Sequence, residues 1–274
     1  MSLKIAVRTL SHHVTWQLGT KMPETFPFVF VVGYPKSGTT WVCQLLADLL
    51  QLPFPRYSLL PVGCPAVVHG HERVWPSYRR CAYVLRDGRD VMASMYFYLA
   101  RQIPDGPSPA VPRRLRRYFP DITDKHDTRA NFPAFLRAQF EHPHAARVHW
   151  GRHVESALQN DRAGVARIRY EDLLDDGPGT LAAAAERITG EAPDPERVAA
   201  TIAKFAFSRQ AGRSSGEEDR SSFLRKGRAG DWVNHFTPEA AQIFDRYAGE
   251  SLVAAGYEPD RSWVGRVGDG PAEP

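Results

Sequence analysis

Three cysteines in 274 residues are too few to brace a fold. Cys43, Cys64 and Cys81 form no C-x-x-C pair, and an odd count leaves no complete disulfide framework. This excludes the small disulfide-stapled class and fits a reducing, cytoplasmic setting. Long apolar runs are also missing: no stretch of about 18 apolar residues occurs. The N-terminal MSLKIAVRTLSHHVTWQLG has neither an unbroken apolar core nor a small-residue cleavage site, so neither a membrane span nor secretion is expected. The excess of charge of one sign is small too. The 35 basic and 31 acidic residues leave a net +4, which suits an anionic ligand but is too small to require nucleic acid or a membrane surface. No H-E-x-x-H pattern occurs. His149 and His153 stand four apart, but Trp150, Gly151 and Arg152 lie between them, so a zinc enzyme is not supported and no metal is expected. With no internal repeat and no convincing linker, a single domain over 1–274 is expected, its tail frayed from about 261.

The sequence does hold apolar segments that alternate between strand and helix patterns. Phe28, Val29, Phe30, Val31 and Val32 form a continuous apolar run ended by Gly33, the pattern of a strand buried on both faces. Trp41, Val42, Leu45, Leu46, Leu49 and Leu50 then recur at helical spacing until Pro53. CAYVL at 81–85 predicts a second strand, and Val91, Met95 and Tyr98 mark the helix after it. A strand at 165–169 and helices near 142–160, 179–190, 195–205 and 238–254 complete the pattern. The alternation predicts an α/β, P-loop-like three-layer fold with a central, mainly parallel sheet flanked by helices. Between 103 and 140, several prolines and the run RRLRR at 113–117 interrupt the pattern, and a long loop or lid is expected there.

Three phrases carry candidate chemistry. In YPKSGTTW, residues 34–41, Gly33 and Gly38 keep the G-x-x-x-x-G spacing of a triphosphate loop. That loop places its lysine directly after the second glycine; here Thr39 and Thr40 follow, and Lys36 lies inside the loop. A loop leading from a buried strand into a helix N-terminus offers backbone N–H groups to an anion. Lys36, Ser37, Gly38, Thr39 and Thr40 are therefore candidate phosphate ligands, the alternative being a glycine turn with no ligand. In RDGRDVMAS, residues 86–94, Arg86 leaves a strand end able to grip a phosphate, with Ser94 two helical turns along the same face. The alternative is an Arg86 ion pair with Asp87 or Asp90. In RKGRAGDW, residues 225–232, two cations beside glycine suit a flap over a phosphate, or simply a solvated basic loop.

Taken together and in this order, the three phrases resemble the cytosolic-type sulfotransferases that use 3′-phosphoadenosine 5′-phosphosulfate (PAPS). The family's 5′-phosphosulfate loop reads like YPKSGTTW, its 3′-phosphate pair matches Arg86 and Ser94, and its flap, RKGxxGDWxxHFT, matches 225–237. The resemblance implies PAPS as co-substrate, 3′-phosphoadenosine 5′-phosphate (PAP) as product, and no metal. It assigns Lys36 to the oxygen bridging phosphorus and sulfur, where it stabilises charge on the leaving phosphate. Arg86, Ser94, Arg225, Lys226 and Gly227 would hold the 3′-phosphate, with Ser94 joining Lys36 in the catalytic set. In VVHGHERVW, His71 aligns with the family's catalytic histidine, the acceptor's general base; the usual lysine two residues earlier is His69 here. Trp41, Tyr170 and Phe207 match the adenine contacts, although Phe205 stands where a threonine is usual. The family's short dimerisation phrase is not matched at Val233, Thr237, Pro238 and Gln242, so the oligomeric state stays open. The implied acceptor is a hydroxyl of a small molecule or glycan. The rival readings are a P-loop nucleotide kinase or NTPase, which would need a lysine at position 39, and a nucleotide-binding protein without turnover.

Overall fold

A computed structural model describes residues 3–106, 109–214, 216–217, 219 and 227–268. In chain order the elements are α1 (Leu3–Lys21), β1 (Val29–Gly33), α2 (Thr39–Leu49), β2 (Val67–Gly70), β3 (Cys81–Leu85), α3 (Gly88–Ala100), α4 (Thr128–Glu141), α5 (Trp150–Leu158), β4 (Val165–Arg169), α6 (Tyr170–Asp175), α7 (Gly177–Thr189), α8 (Pro195–Lys204), α9 (Phe207–Ala211) and α10 (Pro238–Ala254). They divide into two compact units, Met1–Leu85 with Ser156–Gln210, and Arg86–Glu155 with Ala211–Pro274.

The first unit holds a four-stranded sheet in the order β2-β1-β3-β4, every neighbouring pair parallel. All residues of β1 and β3 are buried, as a parallel sheet covered on both faces requires. Successive side chains of β1 serve opposite faces. Val29 and Val31 join Val67, Val84 and Ile168 in a core with Leu45 and Leu46 of α2 and Leu181 and Ile188 of α7. Phe30 instead stacks on Tyr78 with ring centroids 4.5 Å apart. The Tyr78 hydroxyl accepts from Trp16 Nε1 of α1 at 2.8 Å. Helix–sheet–helix layering follows from this alternation. Each fully buried Leu or Val contributes about 1.5–3 kcal/mol through area removed from water.

The second unit is helical and rich in aromatic side chains. Tyr96 of α3 meets Phe132 and Phe135 of α4, and Phe236 packs on Phe132 and on Phe244 of α10. The loop expected over 103–140 is corrected in its second half. Asp127 accepts from the N–H of Ala130 at 3.1 Å and caps α4, whose Phe132, Phe135, Leu136 and Phe140 are buried. The helix expected from 142 begins only at Trp150, because Pro143 follows the close of α4. The frayed tail is corrected as well: Arg261–Arg266 form a 3-10 helix whose Trp263 is buried. Residues 269–274 lie outside the described residues. Among the described residues, no helix is long and apolar enough to cross a membrane.

Candidate active site

Residues 34–38 connect the end of β1 to the start of α2. Two of them adopt left-handed backbone, Lys36 at φ 76° and Gly38 at φ 92°. For a lysine this conformation costs about 1–3 kcal/mol, a strain that persists where the surroundings dictate it. Alternating left-handed residues ahead of a helix form a concavity of backbone N–H groups suited to an anion. Gly38 is required twice over, by its φ and because a Cβ there would stand 2.8 Å from Cδ2 of Tyr170. Ser37 is buried, and its Oγ has no hydrogen-bond partner among the described residues. Such a hydroxyl costs about 1–3 kcal/mol unless a ligand satisfies it, so the loop fits an anion on grounds independent of its sequence.

Two histidines meet this loop from β2 and the residue after it. His69, paired in register with Val31, places Nε2 3.1 Å from Thr39 Oγ1. Burial, together with nearby His71 and Arg56, pushes its pKa down to about 3. The ring is therefore neutral, and where the family has a lysine this chain has no charge. His71 places Nδ1 2.9 Å from the carbonyl oxygen of Gly33. A carbonyl only accepts, so Nδ1 carries the proton and the neutral ring keeps its lone pair on Nε2. Burial holds the His71 pKa below its ordinary value, with Arg56 and Lys36 adding to the effect and the Gly33 carbonyl and Glu72 opposing it. His71 is thus a neutral imidazole at pH 7, the form a general base requires.

The predicted aromatic set is partly assembled. Trp41 meets Tyr170 edge to face at 5.9 Å, and its Nε1 donates to the carbonyl oxygen of Phe205 at 3.0 Å. Phe207 opens α9 two residues further on.

In the second unit, Arg86 lies just before α3 and is buried. Its Nη2 donates to the carbonyl oxygen of Arg228 at 3.3 Å and stands 3.9 Å from Asp90 Oδ2. The Asp90 ion pair weighed as the alternative is therefore present, at the long end of its range. Asp90 also accepts from the N–H groups of Gly230 and Trp232 at 2.7 and 2.9 Å. The second and third phrases, 142 residues apart in these contacts, are brought together by one arginine and one carboxylate. Burial raises the Asp90 pKa while Arg86 opposes it. Gly227 is left-handed at φ 65°, Ser94 is half-buried on α3, and Arg225 and Lys226 lie outside the described residues. The sequence offered Asp90 only as a partner for Arg86; its bonds to the backbone of Gly230 and Trp232 were not foreseen.

The profile of the family described as "Sulfotransferase domain" matches residues 66–256, more than half of the chain. The chain belongs to this sulfotransferase family. The matched span begins after the loop at 34–41, so the loop is a separate observation. Human Sulfotransferase 2B1 is 25% identical over 261 residues, covering 80% of this chain; the chain spans only 64% of that relative's length. The guinea-pig 3-alpha-hydroxysteroid sulfotransferase is 26% identical over 265 residues, covering 83% of this chain and 84% of the relative. Among solved structures, mouse sulfotransferase SULT7A1 complexed with PAP superposes with a TM-score of 0.63 at 20% identity, covering 94% of this chain and 95% of that one. At that identity the likeness carries the fold, which is the sulfotransferase α/β architecture. Among the described residues, no group of three or more His, Cys, Asp or Glu side chains is arranged to hold a metal ion.

Proposed function

We propose that this chain transfers a sulfuryl group from PAPS to the hydroxyl of a small-molecule acceptor. The observation that carries the reading is the loop at 34–38, left-handed at Lys36 and Gly38 with a buried Ser37 hydroxyl that lacks a partner among the described residues. The PAP-bound state of solved relatives and the family membership support the same donor. PAPS would supply the sulfuryl group and depart as PAP. Lys36, with Ser37, Gly38, Thr39 and Thr40, would hold the 5′ end; Arg86, Ser94 and Gly227, with Arg225 and Lys226, the 3′-phosphate; Trp41, Tyr170 and Phe207 the adenine.

Each side chain has a distinct task. His71 accepts the acceptor's proton at Nε2 while the Gly33 carbonyl fixes its tautomer. Lys36 stabilises negative charge on the departing phosphate oxygen. His69, being neutral, orients Thr39 and leaves Lys36 as the cation of the 5′ half. Two of the relatives are named for hydroxysteroids, which supports an alcohol on a ring-bearing small molecule.

The experiment is single-turnover transfer of labelled sulfate from PAPS to a panel of hydroxysteroids and phenols, comparing wild type with His71→Ala and Lys36→Ala. Each variant is expected to lose about 100-fold or more in rate while His71→Ala keeps its PAP affinity. The wild-type rate should persist below pH 6.5, because the His71 pKa is lowered from that value. Unchanged transfer in His71→Ala would remove it from the mechanism.

A further inference from the structure

The segment HGHE, residues 69–72, places a carboxylate beside the two histidines. Gly70 leaves an open notch between His69 and His71, and Glu72 fills it: a Cβ on Gly70 would stand 2.1 Å from Glu72 Oε2. The other carboxylate oxygen, Oε1, lies 3.3 Å from Nε2 of His12 in α1. A carboxylate only accepts, so His12 Nε2 donates. Glu72 is thereby bonded to the N-terminal helix through one oxygen, while the other lies beside Gly70 of β2. That helix is itself tied down, Trp16 to Tyr78 at 2.8 Å and Thr15 Oγ1 accepting from the N–H of Val62 at 2.9 Å. Neither His12 nor Glu72 is among the residues assigned above to the donor.

Resting on the reading of His71 as the base, we propose that Glu72, anchored by His12, is a positioning residue: it balances the imidazolium that His71 becomes on taking the acceptor's proton, and His12 sets how much of that negative charge reaches His71. Lys36 from the loop and Arg56 from the segment after α2 both disfavour a charged His71, while Glu72 and the Gly33 carbonyl favour it. Glu72 supplies negative charge on the favourable side of that balance. His69 stays neutral between them. The hydrogen bond and charge of Glu72 raise the pKa of His12. While His12 is ionised it offsets the carboxylate; once it loses its proton, the full charge of Glu72 acts on His71 and raises its proton affinity.

The two partners therefore make opposite predictions. In Glu72→Gln, His71 loses its counter-charge, and its titration midpoint should fall. In His12→Gln the amide still donates a hydrogen bond but carries no charge, so the His71 midpoint should rise. The measurement is a carbon-13 NMR titration of the histidine rings in the full chain, with the His71 signal assigned by its loss in His71→Asn. The acid limb of kcat/KM, followed alongside, should move in the same directions. A His71 midpoint that stays put in both variants, or moves the same way in both, overturns the proposal. If Glu72→Gln fails to fold, the upward shift in His12→Gln decides alone. The base reading fails separately, if His71→Asn transfers at the wild-type rate, whereas the ring titrations report the coupling in either case.

Discussion

The loop at 34–41 and the cluster around Arg86 and Trp232 are built in opposite ways for the two anionic ends we assign to them. The loop is local. Its shape comes from consecutive residues, a left-handed Lys36 and Gly38 between a buried strand and a helix, and that backbone geometry suits an anion. The Arg86 cluster is assembled from afar, since Asp90 and Arg86 fasten backbone groups more than a hundred residues later in the chain. One site is specified by spacing, the other by a buried carboxylate with three polar partners. The first should fail through its backbone, the second through one side chain.

The largest effect is expected at Gly38. Gly38→Ala must adopt φ 92° and drive a methyl group into the Tyr170 ring. It should cost about 2 kcal/mol or more of stability and abolish stabilisation by PAP in a thermal melt. Asp90→Asn should be intermediate. It keeps one acceptor but weakens the bonds to Gly230 and Trp232, for about 1–2 kcal/mol and roughly tenfold weaker PAP binding by calorimetry, a factor of ten being about 1.4 kcal/mol. The smallest change is Thr39→Val, which removes the partner of His69 at about 1 kcal/mol and leaves the loop backbone intact. If Asp90→Asn proves as damaging to PAP binding as Gly38→Ala, the contrast between a local and an assembled site collapses.

The same contrast explains what could be read from the sequence. β3 and β4 coincide with their expected spans because short apolar runs bounded by polar residues have few alternatives. α4 was hidden because the prolines at the front of 103–140 mask the Phe132, Phe135, Leu136 and Phe140 spacing behind them. α1 gave no signal because the residues it buries are Ser11, Thr15 and Gly19, while Leu3 and Leu10 face outward; a helix that docks through small polar side chains carries no apolar stripe. The loop holding Lys36 and Gly38 was legible because its glycine spacing has a chemical reason, whereas His71 stood out only through the family resemblance. Glu72 and His12 were not legible, and Asp90 was legible only as a partner for Arg86, since their other partners are brought close only by the fold.

The central claim is that this loop holds a 5′-phosphosulfate rather than a triphosphate. The measurement that tests it most directly is the thermal midpoint of the full chain as a function of added PAP without metal, compared with ATP and GTP with Mg²⁺, because a ligand bound by the folded state raises stability with its concentration. A concentration-dependent rise with PAP that greatly exceeds any rise with ATP or GTP is expected. A larger rise with ATP and Mg²⁺ than with PAP would contradict it and return the loop to the kinases.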